Sequence, residues 1–462
     1  MSVYRTVLFF VFTVFAVCFS ATSIFIIFPG YGWHDQQRIG QIILCVFSLA
    51  VIFSTPRLKV SPGLVAAGGA VFFLGILSCF NSRYPVWALI EWARYLGLFG
   101  VVLLVSFFSV SFSFQRVLLL LSVCVSGLHV FNFWVSYFSA FLTGIRILDA
   151  SVMFSGFANP RFFAQFQVIV IPIIGLFFAE AVRRDRFWVT ALLGFMLITQ
   201  WCLSFLLGGR GLWFSLFISY FSLALIGRRF IGFCAVQVGF VLLGFFAFYF
   251  LFKVIPLFYG MEPVESEVLR TGLSSRETIW LLAWELFLES PWLGVGPMHF
   301  SAFYNPIAAH PHQAILQWLC EWGVAATFIL LVMFFRGVKR GFLALRCDGA
   351  SPVDAALWTT LIGALVLAQV DGVFVMPYSE TWMAIMAGVA VARWQKGGLS
   401  NVSLLRFFWL GGGVFAMAIL TFVLLVQAPD VPRAEEKYLD KNVVGWAPRF
   451  WHQGWIPMDF DQ

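Results

Sequence analysis

The sequence predicts an all-α, polytopic membrane protein with about thirteen transmembrane helices and one long extracytoplasmic loop that carries short helices. Its 462 residues are 61% hydrophobic and only 11% charged, whereas about a quarter of a soluble domain is charged. Apolar runs of about 18 residues or more recur along the whole chain, and runs of this length cross a bilayer as helices. These runs do not alternate as the strands of a membrane barrel do.

The order of the apolar runs gives the order of the predicted helices. The first run, at residues 7–28, is too long for a secretory signal, so we interpret it as a retained helix. The centres of the predicted spans lie near residues 17, 47, 71, 103, 126, 172, 197, 218, 243, 325, 362, 387 and 416. The predicted units are spans 1–9 (residues 1–255), the long loop (256–313), spans 10–13 (314–426) and a tail (427–462).

Basic residues predict the orientation of these helices. If the N-terminus is cytoplasmic, every internal loop agrees with the excess of Lys and Arg that cytoplasmic loops carry. The basic loops are residues 56–59, 183–186, 228–229, 336–346 and 393–396. The net charge of +7 therefore reflects orientation and does not indicate nucleic acid as a partner. The long loop and the tail are predicted to lie outside the cytoplasm.

The long loop contains a predicted helix that is too short and too charged to span the membrane. Ser274 and Glu277 form a capping box at its start. Apolar residues then repeat at helical spacing over residues 279–287, and the helix should end before Pro291. Arg276 lies in the first turn, where a cation and free N–H groups suit a diphosphate. The plainer interpretation is that Arg276 pairs with Glu277 or with a lipid phosphate.

Two further features of this loop are less specific. Trp280 and Trp284 are typical of a helix that lies in the membrane interface. The glycines of residues 294–297 are interpreted as a turn, because no strand precedes them and a dinucleotide site needs one.

The next span begins with a polar helix face. His310 and His312 are predicted to lie just outside the membrane, and Gln313, Gln317 and Glu321 follow four residues apart. This spacing places the last three on one face of the helix. An acid such as Glu321 is costly in lipid, which makes it a candidate functional residue.

Other polar groups fall on the same predicted side. Arg210 stands between glycines at a helix junction, and Asn159 and Arg161 precede another span. Taken singly, either arginine is explained by snorkelling to the interface. Five of the six histidines are predicted to be external: His34, His299, His310, His312 and His452. His129 lies inside a span, where packing is the simpler role.

Several classes of protein are disfavoured. The eight cysteines show no spacing typical of a disulfide framework or a zinc site. No internal repeat is visible, which argues against a secondary transporter. The aromatic residues of the tail, in GWAPRFWHQGWIPMDF, are interpreted as interfacial anchors.

The long loop and the following helix carry three motifs: R-E-T-I-W, P-W-L-G-V-G and P-H-Q-A-I-L-Q-W-L-C-E-W-G. Together they resemble the O-antigen ligase and polymerase superfamily, which includes bacterial protein O-oligosaccharyltransferases. The matching positions are Arg276, Trp280, Pro291, Gly294, Gly296, His312, Leu316, Gln317, Glu321 and Gly323. Gln313 replaces the usual Asn, Gly209 replaces the Ser before Arg210, and Arg161 stands where Asn is common. The resemblance covers roughly residues 155–335.

The resemblance implies an enzyme of the bacterial cell inner membrane with a periplasmic active site. It implies transfer of a glycan from undecaprenyl diphosphate to a hydroxyl acceptor. The short C-terminus with PRFWHQGW is most similar to the pilin glycosyltransferase branch, which implies Ser or Thr of a pilin as acceptor. Ligation to the lipid A–core of lipopolysaccharide, polymerisation of O-antigen and transport of lipid-linked sugars remain alternatives.

The resemblance also implies roles for the candidate residues. Arg210 and Arg276 would bind the diphosphate, and His312 would act as the general base. The remaining predicted substrate-binding residues are Asn159, Arg161, His310, Gln313, Gln317 and Glu321. No cofactor, nucleotide or metal is predicted, since the donor is already activated and no external pair of aspartates is apparent for Mg²⁺. The spans are expected to hold few charged residues, which argues against transport.

Overall fold

The computed structural model describes residues 3–54, 62–264, 276–303, 305, 307–395, 403–433, 449–451 and 454–456. The chain is all-α, as predicted, and the described residues form no strand beyond one isolated bridge between Ile147 and Glu262. The helices are α1 Val3–Ala21, α2 Trp33–Ser54, α3 Pro62–Phe80, α4 Pro85–Phe108, α5 Phe112–Leu142, α6 Ala150–Met153, α7 Phe163–Arg183, α8 Phe187–Leu206, α9 Arg210–Ile226, α10 Ile231–Tyr249, α11 Ile255–Phe258, α12 Arg276–Glu289, α13 Ala314–Arg346, α14 Pro352–Leu367, α15 Pro377–Trp394 and α16 Ser403–Phe422.

Most of these helices have the length and composition of membrane spans. Within the described ranges, nine helical segments are long and apolar enough to cross a bilayer, and three shorter apolar helices accompany them. This confirms a multi-pass membrane protein. The number of thirteen spans stays a prediction.

The core is built around two helices that are buried for most of their length, α4 and α7. Helix α4 packs against α2, α15 and α16, while α7 packs against α8 and α14. Helix α15 contacts both α4 and α7, so it joins the two groups. Prolines at the starts of α4, α14 and α15 favour helix initiation, because the missing N–H is not needed in the first turn.

The long loop carries short helices, as the sequence predicted. They are α11, α12 and a single 3₁₀ turn at His299–Ala302. Helix α12 runs from Arg276 to Glu289, so it ends before Pro291 as expected. Ser274 of the predicted capping box lies outside the described residues, and so does His452. The boundaries of the four predicted units remain predictions.

Candidate active site

His312 lies where the long loop enters α13, beside the connection between α14 and α15. The N–H of Ala314 donates to the carbonyl of Ala368 (2.9 Å), and the Gln313 amide donates to Gln369 Oε1 (3.1 Å). These bonds hold His312 next to Asp371, whose Oδ1 is 3.9 Å from His312 Nδ1. Asp371 is not one of the residues singled out in the sequence. It is an acid in a short connection, and that signal alone did not separate it from ordinary loop residues.

The conformation of His312 is unusual for a residue with a side chain. Its φ is +53°, in the left-handed region, which costs energy and often marks a functional position. Its side chain is 23% exposed, but Nδ1 is buried and has no hydrogen-bond partner among the described residues. The ring of His310 lies 4.0 Å away, centre to centre. The fold therefore holds an imidazole in a strained, partly open position.

The environment keeps this imidazole neutral. Burial, followed by the positive charge of Arg276, lowers the pKa of His312 to about 4. Burial, followed by the proximity of His312, lowers the pKa of His310 well below its usual value. Burial raises the pKa of Asp371, although bonds from the Gly372 N–H (2.7 Å) and the Gln165 amide (3.0 Å) oppose that shift. A neutral His312 is able to accept a proton at pH 7.

Arg276 begins α12 and acts on this group of residues electrostatically. Its charge lowers the pKa of His310, His312 and Asp371. The indole N–H of Trp280 donates to the carbonyl of Pro311 (3.0 Å), which ties α12 to the His310–His312 stretch. Trp280 is thus engaged with the protein, whereas Trp284 is 45% exposed; the interfacial position of both residues stays a prediction.

Arg210 and Arg161 stand at two other helix starts, which lie beside the connection between α14 and α15. Arg210 is the first residue of α9. A methyl group added at Gly211 would lie 3.0 Å from Leu367 and 3.3 Å from Val370, so the start of α9 packs beside the connection that holds Asp371. Arg161 lies one turn before Gln165, which donates to Asp371. The Asn159 side chain accepts the N–H of Arg161 (2.9 Å) and caps this turn.

The polar side chains on one face of α13 form hydrogen bonds within the protein. The Gln313 side chain caps α13 by accepting the Leu316 N–H. The Gln317 amide donates to Glu321 Oε2 (3.3 Å), and Glu321 is fully buried. Glu321 also accepts the N–H of Phe300 (3.2 Å). The predicted substrate-binding roles of Gln313, Gln317 and Glu321 remain predictions that these contacts do not favour.

Helix α13 is interrupted at Gly323, which has φ +74° and ψ 173°. The interruption frees backbone groups of α13, and the segment 291–296 of the long loop binds them. The three hydrogen bonds run from Val295 N–H to Cys320 O (2.8 Å), from Gly296 N–H to Glu321 O (3.1 Å) and from Val324 N–H to Pro291 O (2.8 Å). The loop is therefore fixed to the helix that follows His312.

Two glycines allow this close backbone contact. A methyl group at Gly294 would lie 2.4 Å from the carbonyl carbon of Glu321, and one at Gly323 would lie 2.2 Å from the oxygen of Trp292. Both have positive φ, and Gly296 has φ +116°. The chain turns on either side of this segment, where the N–H of Gly294 donates to Ser290 O (2.9 Å) and the N–H of His299 donates to Gly296 O (3.0 Å). The P-x-x-G-x-G and E-x-G motifs are thus the two sides of one contact.

A network of six buried charges lies below this contact, and only Glu321 among its members was singled out in the sequence. Every member has a side-chain exposure of 2% or less. The pairs are, in order, Glu321–Arg449 (2.7 Å), Arg449–Glu91 (3.2 Å), Glu91–Arg94 (2.6 Å), Arg94–Glu380, and Glu380–Arg38 (2.6 Å). Three arginines balance three glutamates. The expectation of few charges inside the spans overlooked this network, because only Glu91 and Arg94 pair along one helix and the other four pairs join separate segments of the chain.

The tail supplies Arg449 to this network, and two aromatic residues follow it into the core. Phe450 and Trp451 are buried, with exposures of 0% and 2%. The guanidinium of Arg38 lies over the Phe450 ring at 5.0 Å. The interpretation of the tail aromatics as interfacial anchors is therefore wrong for these two residues.

Arg449→Ala is expected to destabilise the protein by about 3–5 kcal/mol, because it leaves Glu321 and Glu91 buried without their shared partner. The measurement is unfolding of the purified protein in detergent. The matched control is Arg433→Ala, since Arg433 is 81% exposed and its pair with Asp430 spans 3.9 Å. A surface pair contributes about 1 kcal/mol or less. Equal stability of the two variants would contradict the structural role of Arg449.

The other described histidines, His299, His34 and His129, are all buried. His299 is buried, and its Nε2 accepts the N–H of Tyr84 (2.9 Å) while Nδ1 pairs with the Pro297 carbonyl (2.9 Å). His34 is buried at the start of α2 and close enough to His310 to lower its pKa. His129 is buried and bonds to Ser23 Oγ (3.0 Å), as its packing role predicted. Within the described part of the chain, no group of three or more His, Cys, Asp or Glu side chains is arranged to hold a metal.

The fold and this site define a class: a multi-pass membrane protein with a neutral histidine, a carboxylate and arginine-bearing helix starts at one end of its bundle. Residues 195–331 match the model of the O-antigen ligase family, which confirms the superfamily that the motifs indicated. A comparison with curated proteins gives no match. The matched segment contains Arg210, Arg276 and His312. The chain is therefore a multi-pass membrane protein whose residues 195–331 are similar to a family of glycan-transferring ligases and polymerases.

Proposed function

We propose that the protein transfers a glycan from undecaprenyl diphosphate to a Ser or Thr hydroxyl of a pilin, at the periplasmic face of the bacterial inner membrane. One observation carries the proposal. The partly exposed His312 lies 3.9 Å from Asp371 and within the field of Arg276, although these residues are far apart in the chain. Ligation of the glycan to lipid A–core and polymerisation of O-antigen repeats are the alternatives, since both use the same donor.

The donor site is proposed to lie between the helix starts. Arg210 is the first residue of α9, Arg276 is the first described residue of α12, and Arg161 lies in the turn before α7. A helix N-terminus offers free N–H groups and a partial positive charge, both of which favour anions. Guanidinium groups bind phosphate oxygens through paired hydrogen bonds. This arrangement supports Arg210 and Arg276 as ligands of the diphosphate.

The transfer step uses His312 as the base. As the acceptor oxygen forms its bond to the anomeric carbon, the hydroxyl proton passes to His312. The bond from that carbon to the diphosphate breaks, and its electron pair leaves with the diphosphate. The arginines stabilise the charge that gathers on this leaving group. Asp371 lies beside His312 Nδ1 and stabilises the imidazolium once the proton arrives, so Nε2 is the nitrogen that faces the acceptor.

The low pKa of His312 predicts an unusual dependence of transfer on pH. A histidine is active as a base when neutral, so the rate should fall only as the pH drops toward about 4. An unperturbed histidine would lose activity near pH 6.5. The measurement is the rate of transfer against pH in reconstituted vesicles. Arg276→Gln removes one cause of the shift, so the acid limb of the remaining activity should move to higher pH. An acid limb near pH 6.5 in both proteins would contradict this assignment.

The identity of the acceptor is tested by the intact mass of the pilin subunit. The proposal predicts that the pilin of a deletion strain is lighter than that of the complemented strain by the mass of the transferred glycan. Unchanged pilin mass together with loss of long lipopolysaccharide would instead identify a ligase that acts on lipid A–core. Shortened O-antigen chains with unchanged ligation would identify a polymerase.

A further inference from the structure

A large apolar cavity lies at the end of the bundle opposite the candidate active site. Its volume is about 550 Å³, and it is lined by α3, α4, α13, α14 and α15. Arg336, on its rim, lies 24 residues after His312, on the order of 30 Å along a helix. The volume is within the range of sites that bind small ligands. None of the residues assigned to glycan transfer lines this cavity.

A second, smaller apolar cavity adjoins the first. This second cavity, of about 200 Å³, shares Phe99, Val102 and Met333 with the first and reaches Trp318. We name the two cavities together the apolar slot. Its length along α13 and its mostly apolar lining, with Glu380 in the second cavity as the exception, suit an extended aliphatic chain better than a compact polar molecule.

The open end of the slot is polar and positively charged. Arg336 and Arg340 are one helical turn apart on α13, both line the cavity and both are exposed. No hydrogen bond or ion pair engages either guanidinium within the described part of the chain. Gln395 also lines this end, and its Nε2 is buried and has no hydrogen-bond partner among the residues that the structure describes. Buried donors are normally satisfied, so this amide is available to an acceptor at the mouth of the cavity.

We infer that the apolar slot binds an acidic phospholipid, with an acyl chain inside the slot and the phosphate at Arg336, Arg340 and Gln395. An anionic headgroup neutralises the two guanidinium groups and accepts a bond from the free amide. A polyprenyl chain from the donor would carry its diphosphate at the other end of the bundle and would leave these three groups unmatched. The charge pattern therefore favours an acidic lipid from the leaflet opposite the candidate active site.

The test is binding of phosphatidylglycerol and phosphatidylethanolamine to the purified full-length protein, measured by native mass spectrometry in detergent. The wild-type protein should retain phosphatidylglycerol in preference to phosphatidylethanolamine. Arg336→Gln with Arg340→Gln should weaken binding of phosphatidylglycerol by about 10-fold or more. Ala387→Phe should also weaken it, because Ala387 lines both cavities and the larger ring fills the slot while both arginines remain.

The matched control is Lys339→Gln with Arg186→Gln, which removes two exposed charges at the same end without touching the lining. This control should bind phosphatidylglycerol as the wild type does. If the control and the double arginine variant lose phosphatidylglycerol to the same extent, the lipid is attracted to basic loops in general, and the proposed site is wrong. Undecaprenyl phosphate is then added to the wild type and to the double arginine variant. If it displaces the bound lipid equally from both proteins, a polyprenyl chain occupies the slot and the proposal is wrong. Thermal unfolding of each variant separates loss of binding from loss of fold.

Discussion

Replacing His312 is expected to abolish transfer while leaving the protein folded. Loss of a general base lowers rates by about 10²–10⁴-fold. His312→Asn is the preferred variant, because Asn tolerates the left-handed backbone that His312 adopts better than most residues do. His312→Ala should be as inactive but less stable. The measurement is the rate of glycan transfer by purified protein, with unfolding temperature as the check on fold.

Asp371→Asn is the companion to this experiment. It keeps the shape of the side chain and the bond from Gln165 but removes the charge beside His312 Nδ1. Its activity should fall between those of the wild type and His312→Asn, since Asp371 acts through His312. Near-wild-type activity of His312→Asn would remove His312 from the mechanism, whatever Asp371→Asn does.

Loss of either helix-start arginine should have the next largest effect. Arg210→Ala and Arg276→Ala are each expected to lower transfer by at least ~10²-fold, by analogy with the loss of one preorganised donor to a developing anion. Lysine retains the charge but not the paired hydrogen bonds, so Arg276→Lys should recover only part of the activity. The measurement is transfer at saturating donor, followed by the affinity for undecaprenyl diphosphate itself.

The control for charge alone is Arg186→Ala, an exposed arginine at the opposite end of the bundle. It should leave both the transfer rate and the affinity for undecaprenyl diphosphate unchanged. If Arg276→Lys and Arg276→Ala are both as active as the wild type, then α12 does not form part of the diphosphate site.

Local features of the sequence predicted much of the fold. Helix α12 was predicted from the spacing of residues 279–287 and from Pro291, because helical periodicity and helix ends depend on residues that are close in the sequence. The apolar runs predicted the multi-pass architecture for the same reason. The glycines of residues 294–297 predicted a turn, and the chain does turn on either side of them, but their contact with the broken helix is visible only in the structure.

Contacts across the chain were not predictable in this way. The sequence around Gly323 reads as one continuous apolar helix, so the break in α13 and its bonds to Val295 and Gly296 were invisible. The pairing of Glu321 with Arg449 joins positions 128 residues apart. Asp371 gained significance only when the structure placed it beside His312. Periodicity carries no information on such pairs, because it describes each helix separately.

The central claim is that this protein moves a glycan from a polyprenyl diphosphate to a hydroxyl with His312 as the base. The most direct test reconstitutes the purified protein in vesicles with an undecaprenyl-diphosphate-linked glycan and the pilin subunit. The account predicts a pilin whose intact mass rises by one glycan, release of undecaprenyl diphosphate in equal amount, and neither product with His312→Asn. Donor that stays intact with the wild-type protein, or equal products from His312→Asn, would contradict it.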